Sequence, residues 1–430
     1  MRTVLFIAYL FPPIANSGTR RSLSFANHLP DHGWQPLVLT QVEPPPHLCD
    51  RALMSEVRAG TRIERAPLLG SNIARRLAGA LAAGERRERI AAGLEWRLNN
   101  LVQVPDEVLS WYPEAVERGV ALHRETGFDA IYASGWPWSA FLVASAIGRR
   151  TGCPYILDYR DTWTPRGTAK WEKPSRAQAA FSPRLQRWAA KEAAALITVT
   201  PSLVPVVKED TGRNHVHCIT NGFEPADFTR TTPAPVKSDA ICIAYTGIWR
   251  PDYGLHGLYQ AIRKLKDDGH PGLHRLKVRA AGFKPGPARE MGIDDVVEET
   301  GYVPHEVATQ MMNDADLLYL SVPEGFYANA CLPGKLFEYM GSANPILAVV
   351  PAGSEVAQVL DEVGGGVRVD PGDNAAIGRV VQRLLAGERD GLFTARNAER
   401  LQRYTRAATT AELARVLDAA CAGAPRELAS

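Results

Sequence analysis

The chain has 430 residues, of which 45% are hydrophobic and 22% charged, so it is long enough for two globular domains and too apolar to be disordered. Its six cysteines are scattered without a CxxC pair, which argues against a disulfide framework or a zinc site and for a cytoplasmic protein with reduced thiols. No window approaches about 18 uninterrupted apolar residues, so we expect no transmembrane helix.

The net charge of +2 conceals an asymmetry between the two halves of the chain. Residues 1–225 hold 27 Lys and Arg against 21 Asp and Glu, a balance of +6, whereas the remainder has a balance of −4. A positive N-terminal half indicates either an anionic surface partner or ordinary scatter. No nucleic-acid partner is expected.

Strand-like and helix-like patterns alternate from the first residue onward. The apolar run 1–11 is too short and too weakly charged for a signal peptide and predicts a buried first strand. Continuous apolar runs alternating with helices predict parallel sheets with helices on both faces. Predicted strands are Val4–Tyr9, Pro36–Thr40, Ala130–Ala133, Tyr155–Asp158, Leu196–Thr200, Val216–Ile219, Ile241–Tyr245, Lys277–Ala281, Leu317–Ser321 and Pro345–Val350, and predicted helices include Ser22–His32, Ala140–Thr151 and Val307–Asp314.

The strands form two series, separated by a polar, proline-bearing stretch with no periodic pattern. The fold class predicted is therefore α/β, with two Rossmann-like, doubly wound domains facing a central cleft. The expected divisions are an N-terminal domain at 1–224, a linker at 225–239, a C-terminal domain at 240–404, and a helical segment at 405–430 that packs back on the first domain as one option.

The first candidate site follows the first predicted strand. Gly18 permits close backbone approach, Thr19 is a candidate N-cap, and Arg20 or Arg21 with the helix N-terminus suits an anion. The alternative is a plain strand–loop–helix connection.

The second candidate site combines segments 134–141 and 156–167, each following a predicted strand. Asp158, Arg160 and Asp161 place three charges within four residues, and these either satisfy each other or face a polar ligand. The tryptophans nearby offer flat surfaces for a sugar or an apolar acceptor, or else cap an internal salt-bridge network. They are Trp136, Trp138 and Trp163.

A third site is predicted after strand 241–245, where Gly247 is followed by Arg250, a guanidinium that suits a diphosphate unless it is only a solvated loop residue. The segment 331–360 is the most informative. It places Gly334-Lys335 and the carboxylate of Glu338 before a predicted strand, a layout that suits a nucleotide diphosphate because helix N-termini bind phosphates and carboxylates accept ribose hydroxyls.

Taken together, these segments resemble retaining glycosyltransferases of the GT-B fold, in the large family-4 group. The resemblance runs over nearly the whole chain and depends on the order and spacing of its motifs. They are Pro12-Pro13 with Gly18 and Arg20, Tyr159–Trp163, Ile219–Phe223, Tyr245-Thr246-Gly247, Gly301–Pro304 and Pro333–Tyr339.

The resemblance implies roles for single residues. Glu338 would hold the ribose as the second glutamate of the E-x7-E motif, Arg250 would clamp the diphosphate, and Val303 would meet the base through backbone groups. Gly18, with Arg20, would lie near the donor phosphates, alongside Gly247, Gly334, Lys335 and Leu336. No metal and no cofactor beyond the nucleotide-sugar donor, most simply a UDP-sugar, is implied.

Two positions depart from the family pattern. Ala330 stands where the first glutamate of the motif belongs, and Glu324 lies six positions too early to match it. The lysine expected soon after Arg250 is also missing, and Lys335 is preferred over Lys284 as its replacement.

The resulting hypothesis is sugar transfer from a nucleotide diphosphate to an acceptor bound by the N-terminal domain, in surface-polysaccharide or natural-product glycosylation. Arg250 and Lys335 would neutralise the leaving diphosphate, and Asp161 would orient the acceptor or act as a base. The alternatives are a non-catalytic sugar-nucleotide-binding partner, which Ala330 favours, and a GT-B-fold epimerase. For an epimerase, His256 and His305 are available but fall in no motif.

The acceptor is either a lipid-linked sugar or a small molecule. The basic, partly apolar stretch 72–98 could lie on the inner face of an anionic membrane, or it could be a solvated helical insertion. Peripheral membrane contact is therefore an open expectation.

Overall fold

A computed structural model describes residues 1–42, 49–69, 103–164, 174–229, 239–249, 254–322, 325 and 329–423. The chain forms two compact units, unit 1 from residues 1–220 with 409–430 and unit 2 from residues 221–408. Arg250, Glu324 and the basic stretch 72–98 lie outside the described residues.

Unit 1 contains a seven-stranded sheet whose paired strands all run parallel, in the order β3-β2-β1-β4-β5-β6-β7. Its central strands carry apolar residues on both faces, because both faces are covered by helices. The strands are β1 Arg2–Ile7, β2 Trp34–Gln41, β3 Arg62–Ala66, β4 Ala130–Gly135, β5 Tyr155–Tyr159, β6 Ala195–Thr198 and β7 Val216–Cys218.

Two hydrophobic cores lie on the two faces of this sheet, since successive side chains of a strand point to opposite sides. Ile7 belongs to one core and Phe6 to the other. Leu413 and Leu417 of the C-terminal helix pack in the core that contains Phe6, so this helix is part of unit 1. The described helices are Ser17–His28, Tyr112–Thr126, Ser139–Thr151, Arg176–Ala190, Leu203–Thr211 and Arg406–Cys421, with 3-10 turns at Leu29–His32, Arg51–Glu56 and Leu109–Trp111.

Unit 2 contains a six-stranded parallel sheet in the order β10-β9-β8-β11-β12-β13, which is doubly wound with its topological switch point between β8 and β11. Its strands are β8 Ile241–Thr246, β9 Leu276–Ala281, β10 Val297–Gly301, β11 Leu317–Ser321, β12 Ile346–Val349 and β13 Gly366–Val369. Its helices are Pro225–Thr229, His256–Asp267, Pro287–Glu290, His305–Asp314, Gly334–Gly341, Glu355–Val363, Asn374–Leu385 and Ala398–Gln402, with a 3-10 turn at Leu273–Arg275.

The predicted α/β class with two Rossmann-like sheets is confirmed, and each predicted strand overlaps an observed one. Three observed strands, β3, β10 and β13, were not predicted. All three lie at sheet edges, where polar side chains interrupt the apolar run. The first residues of the predicted linker form the short helix Pro225–Thr229.

Within the described ranges, no group of three or more His, Cys, Asp or Glu is placed to hold a metal ion. No helix among them has the length and apolar character needed to cross a membrane.

Candidate functional site

The strongest candidate site lies at the topological switch point of unit 2, where ligands bind open α/β sheets beyond the carboxyl ends of the strands. Gly247 follows directly after β8, and helix 334–341 lies between β11 and β12 in the chain. The Tyr339 hydroxyl accepts a hydrogen bond from the backbone N–H of Thr246 at 3.0 Å. This hydrogen bond connects helix 334–341 to the end of β8.

Lys335 occupies the first turn of helix 334–341 and reaches back to the end of β8. Its Nζ donates to the Tyr245 hydroxyl oxygen at 3.2 Å and lies 4.3 Å from the centre of the Tyr245 ring. A methyl group on Gly247 would lie 2.1 Å from the same Nζ, so the ammonium occupies the space that a side chain at position 247 would need. Glycine is therefore required at 247 for this arrangement.

The electrostatic environment of Lys335 is unfavourable without a ligand. Burial lowers the pKa of Lys335 to about 8, although the nearby Glu338 charge opposes that shift. A cation at a helix N-terminus also faces the positive end of the helix dipole. Among the described residues, no carboxylate lies within 4.0 Å of Lys335 Nζ. A bound oxyanion would relieve both costs.

Glu338 lies one helical turn beyond Lys335 and is half-buried. Among the described residues, its carboxylate has no hydrogen-bonded partner, which leaves its oxygens to accept hydroxyl groups. Leu336 is fully buried in the core, so only its backbone can serve a ligand. Gly334 is exposed at the helix start, with nothing within 4 Å of an added methyl group.

Val303 follows β10, at the same carboxyl edge of the sheet, and is half-buried. Gly301 just before it adopts a φ of 78°, and its carbonyl accepts the N–H of Gly282 at 2.8 Å. Ala330, at the position of the missing glutamate, is buried. The structure therefore brings Gly247, Lys335 and Glu338 close together, while Val303 lies two strands away along the edge.

In unit 1, the structure joins two predicted segments through Gly18 and Arg160. A methyl group on Gly18 would lie 1.7 Å from a terminal nitrogen of Arg160. The Arg160 guanidinium donates to the carbonyl of Gly135 at 2.8 Å and to that of Trp136. Arg20 instead turns to Glu56, with which it forms an ion pair.

The three clustered charges near the end of β5 do not satisfy each other. Asp158 is fully buried and accepts two hydrogen bonds from Arg21, at 2.7 and 3.0 Å. It also accepts one from the hydroxyl of Tyr132. Burial and the charge of Asp158 raise the pKa of this tyrosine well above its usual value. Arg160 is held by carbonyl groups, and Asp161 is exposed.

The tryptophans predicted to stack on an acceptor are mostly inside the protein. Trp138 and Trp163 are 7% and 3% exposed, and their rings stack on each other at 5.3 Å. Both belong to the core of unit 1, so their faces are occupied by protein and we assign them to packing. Trp136 is half-buried at the edge of that core.

Tyr245 and Tyr339 belong to the sequence motifs that carry the family resemblance, but the sequence predicts no role for their side chains. In the structure these two hydroxyls hold Lys335 and the end of β8 in place. A tyrosine at the end of a buried strand was the available signal, since a buried hydroxyl requires a partner.

Comparisons with known proteins identify what the chain is similar to. Residues 18–222 match the model of the glycosyl transferase 4-like domain. The chain is 24% identical over 303 residues to 2-deoxystreptamine glucosyltransferase of Streptomyces kanamyceticus, covering 64% of this chain and 73% of the relative.

The fold also resembles solved structures. The structure of Anabaena Alr3699/HepE in complex with UDP and glucose matches this chain with a TM-score of 0.62 and 14% sequence identity. The match covers 97% of this chain and 100% of that chain. Sucrose-phosphate synthase from Thermosynechococcus elongatus has a TM-score of 0.56 and 16% identity, over 98% and 97% of the two chains.

Proposed function

We propose that this chain, a family-4-type nucleotide-sugar glycosyltransferase of the GT-B fold, takes its sugar from a UDP-linked donor held at Lys335 and Glu338. The observation that carries the proposal is the position of the half-buried Lys335 ammonium. It lies at a helix N-terminus, against Tyr245 and Gly247, without a carboxylate partner among the described residues. The structure of Anabaena Alr3699/HepE, whose fold this chain resembles, was solved with UDP bound, and this supports uracil as the base of the donor.

In this proposal, Lys335 and the first turn of helix 334–341 bind the donor diphosphate, and Glu338 accepts ribose hydroxyls. As the bond from the sugar C1 to the diphosphate oxygen breaks, negative charge grows on that oxygen and the Lys335 ammonium stabilises it. The acceptor oxygen forms the new bond to C1.

We further propose that the transfer retains the anomeric configuration. The leaving phosphate oxygen takes the acceptor proton on the same face of the sugar, so no strong protein base is needed. Burial raises the pKa of the Asp161 carboxyl above its usual value, and we propose that this group orients the acceptor hydroxyl. The anomeric configuration of the product, read by NMR from a donor of known configuration, tests this step.

The acceptor we propose is a hydroxyl of a sugar or aminocyclitol, in natural-product or surface-polysaccharide glycosylation. The name of the Streptomyces relative supports the aminocyclitol class. A panel of such acceptors with UDP-glucose tests this choice, and absence of transfer to every member would refute it.

A nucleotide panel measured by calorimetry tests the donor. We expect UDP to bind at least about tenfold more tightly than GDP or ADP. In our proposal, backbone groups near Val303 form hydrogen bonds with the base, and a different base would leave these groups unpaired. Equal binding of all three nucleotides would leave the diphosphate site intact and reject the choice of UDP.

Replacing Gly247 with alanine is expected to weaken UDP binding about tenfold. The new methyl group would lie 2.1 Å from Lys335 Nζ and 2.9 Å from the Tyr245 hydroxyl, so the ammonium must move off its position. The free energy of unfolding should change by less than about 1 kcal/mol, because Gly247 has no positive φ and a lysine tip moves at little cost. Calorimetry and chemical denaturation check the two effects.

The matched control is Gly378→Ala in helix Asn374–Leu385, where the nearest atom would lie 3.9 Å away. This variant should bind UDP like the wild type. If Gly247→Ala binds UDP equally well, Lys335 does not reach the diphosphate from its observed position.

UDP affinity is expected to fall as the pH rises through about 8, because the pKa of Lys335 is lowered to about 8 and only its protonated form attracts the diphosphate. Above about pH 8, the loss should approach tenfold per pH unit. Binding at pH 8 to 9 should also take up a proton, which calorimetry in buffers of different ionisation enthalpy measures. Lys335→Met should show neither effect.

The same group affects the ligand-free protein in the opposite direction. The pKa of Lys335 is about 8 in the folded state, below the usual 10.5. Between pH 8 and 10.5 the unfolded chain therefore binds more protons than the folded chain. This group therefore makes the folded state more stable as the pH rises from about 8 to 10.5.

A further inference from the structure

Helix Arg176–Ala190 of unit 1 carries a stripe of exposed side chains that the proposed site does not use. The stripe consists of Ala177, Phe181, Arg184, Trp188 and the C-cap residue Lys191, and all five are exposed. Their spacing alternates between four and three residues, so they share one side of the helix. We call this set the aromatic–basic stripe.

The aromatic side chains of the stripe are unusual for their exposure. Phe181 is 56% exposed and Trp188 is 43% exposed, and within the described part of unit 1 no other aromatic side chain is exposed to this degree. The opposite side of the helix, with Ser182, Gln186 and Ala189, is buried. Packing among the described residues of unit 1 therefore does not cover the two rings.

The charge around the rings is positive. Arg176, Arg184, Arg187 and Lys191 are exposed, and among the described residues none of them forms an ion pair with a carboxylate. Arg184 and Arg187 donate to backbone carbonyls.

One further cation supports the exposed ring from beside the helix. The Arg149 guanidinium lies 4.0 Å from the centre of the Trp188 ring and pairs with Glu192 at 3.2 Å. Glu192 is thus paired with Arg149, and the described helix with its C-cap keeps an excess of positive charge.

We propose that the aromatic–basic stripe docks unit 1 on an anionic lipid bilayer. Aromatic rings are stable at the headgroup level of a membrane, and flanking Lys and Arg attract lipid phosphates. A stable protein partner would cover about 600 Å² or more on this side of the contact, whereas the two aromatic side chains, which carry the apolar surface of the stripe, supply roughly 300–500 Å². The stripe therefore suits a bilayer better than a protein surface.

This inference goes beyond the proposed function and depends on it only for its consequence. A bilayer-bound unit 1 would meet an acceptor carried on a lipid. Of the two acceptor classes proposed above, vesicle binding would therefore favour a lipid-linked sugar over a freely diffusing aminocyclitol. The UDP site proposed at Lys335 belongs to unit 2, whereas the stripe belongs to unit 1, so we expect UDP affinity not to depend on the stripe.

The test is co-sedimentation of the full chain with vesicles of phosphatidylcholine, with and without phosphatidylglycerol, at low and high salt. We expect binding only to the anionic vesicles, and weaker binding at high salt. The double variant Phe181→Ser/Trp188→Ser should bind about tenfold less, and Arg184→Glu/Lys191→Glu should lose binding as well. Val307→Ser, which changes a 43% exposed side chain of unit 2, is the matched control and should bind like the wild type.

Equal binding to neutral vesicles, no binding to either vesicle, or unchanged binding by both double variants would overturn the proposal. Self-association that the aromatic double variant abolishes, without vesicle binding, would assign the stripe to a protein contact instead. UDP affinity measured on the same variants separates the two hypotheses, because it should remain at the wild-type value whatever the vesicles show.

Discussion

Replacing Arg21 with methionine is expected to lower the free energy of unfolding by about 3–5 kcal/mol, the largest effect we expect from a single side chain. Arg21 is 6% exposed and donates two hydrogen bonds to Asp158, which is fully buried. It also donates to the carbonyls of Ile219 and Thr220 at 2.9 Å. Methionine would leave the Asp158 charge buried without its cation.

Denaturant unfolding of Arg21→Met beside Arg20→Met measures this effect with a neighbouring control. Arg20 pairs with Glu56 at the surface, so its loss should cost no more than about 1 kcal/mol. Adding Asp158→Asn to Arg21→Met should recover part of the loss, since it removes the unpaired charge. Equal destabilisation by the two arginine variants would show that the buried pair contributes no more than the surface pair.

The strands could be predicted from sequence where both faces of the sheet are covered. β1 and β11 read as continuous apolar runs because helices pack on both sides of them. Strand β3, by contrast, has the sequence RIERA, and only its last residue is buried. An edge strand with charged side chains has no periodic signal that separates it from a loop.

The site was less predictable than the fold, because partners distant in sequence decide which charges are free. Asp158 and Arg160 are two residues apart, yet Asp158 is neutralised by Arg21 and Arg160 is held by carbonyls. Composition alone could not distinguish a ligand-binding carboxylate from one paired 137 residues away. The burial of Trp138 and Trp163 likewise depends on their stacking on each other.

Lys335 is the opposite case, in which a motif position and its surroundings agree. The sequence placed it at the start of a helix beside Glu338, and the structure adds the contacts to Tyr245 and Gly247 that fix its ammonium. The contact to Tyr245 joins the end of β8 to a helix 90 residues later, so it could be seen only in the folded sheet.

Lys335→Met is expected to weaken UDP binding about 10- to 100-fold, because a charge-assisted contact to the diphosphate contributes about 1.5–3 kcal/mol. Transferase activity at low donor concentration should fall at least as much, since the same ammonium stabilises the leaving group. The free energy of unfolding should stay the same or rise, because methionine fills the site without the cost of a buried cation. Calorimetry and denaturant unfolding of the same preparation measure both quantities.

Lys284→Met is the informative comparison, because Lys284 is the other lysine that could replace the missing family residue. Its side chain is exposed, so we expect its loss to leave UDP affinity within about twofold of the wild type. If Lys284→Met loses affinity and Lys335→Met keeps it, the diphosphate binds elsewhere in unit 2. If Lys335→Met instead loses UDP affinity and keeps its free energy of unfolding, the charge of Lys335 serves the ligand. A lysine with a purely structural role would lose stability and keep UDP affinity.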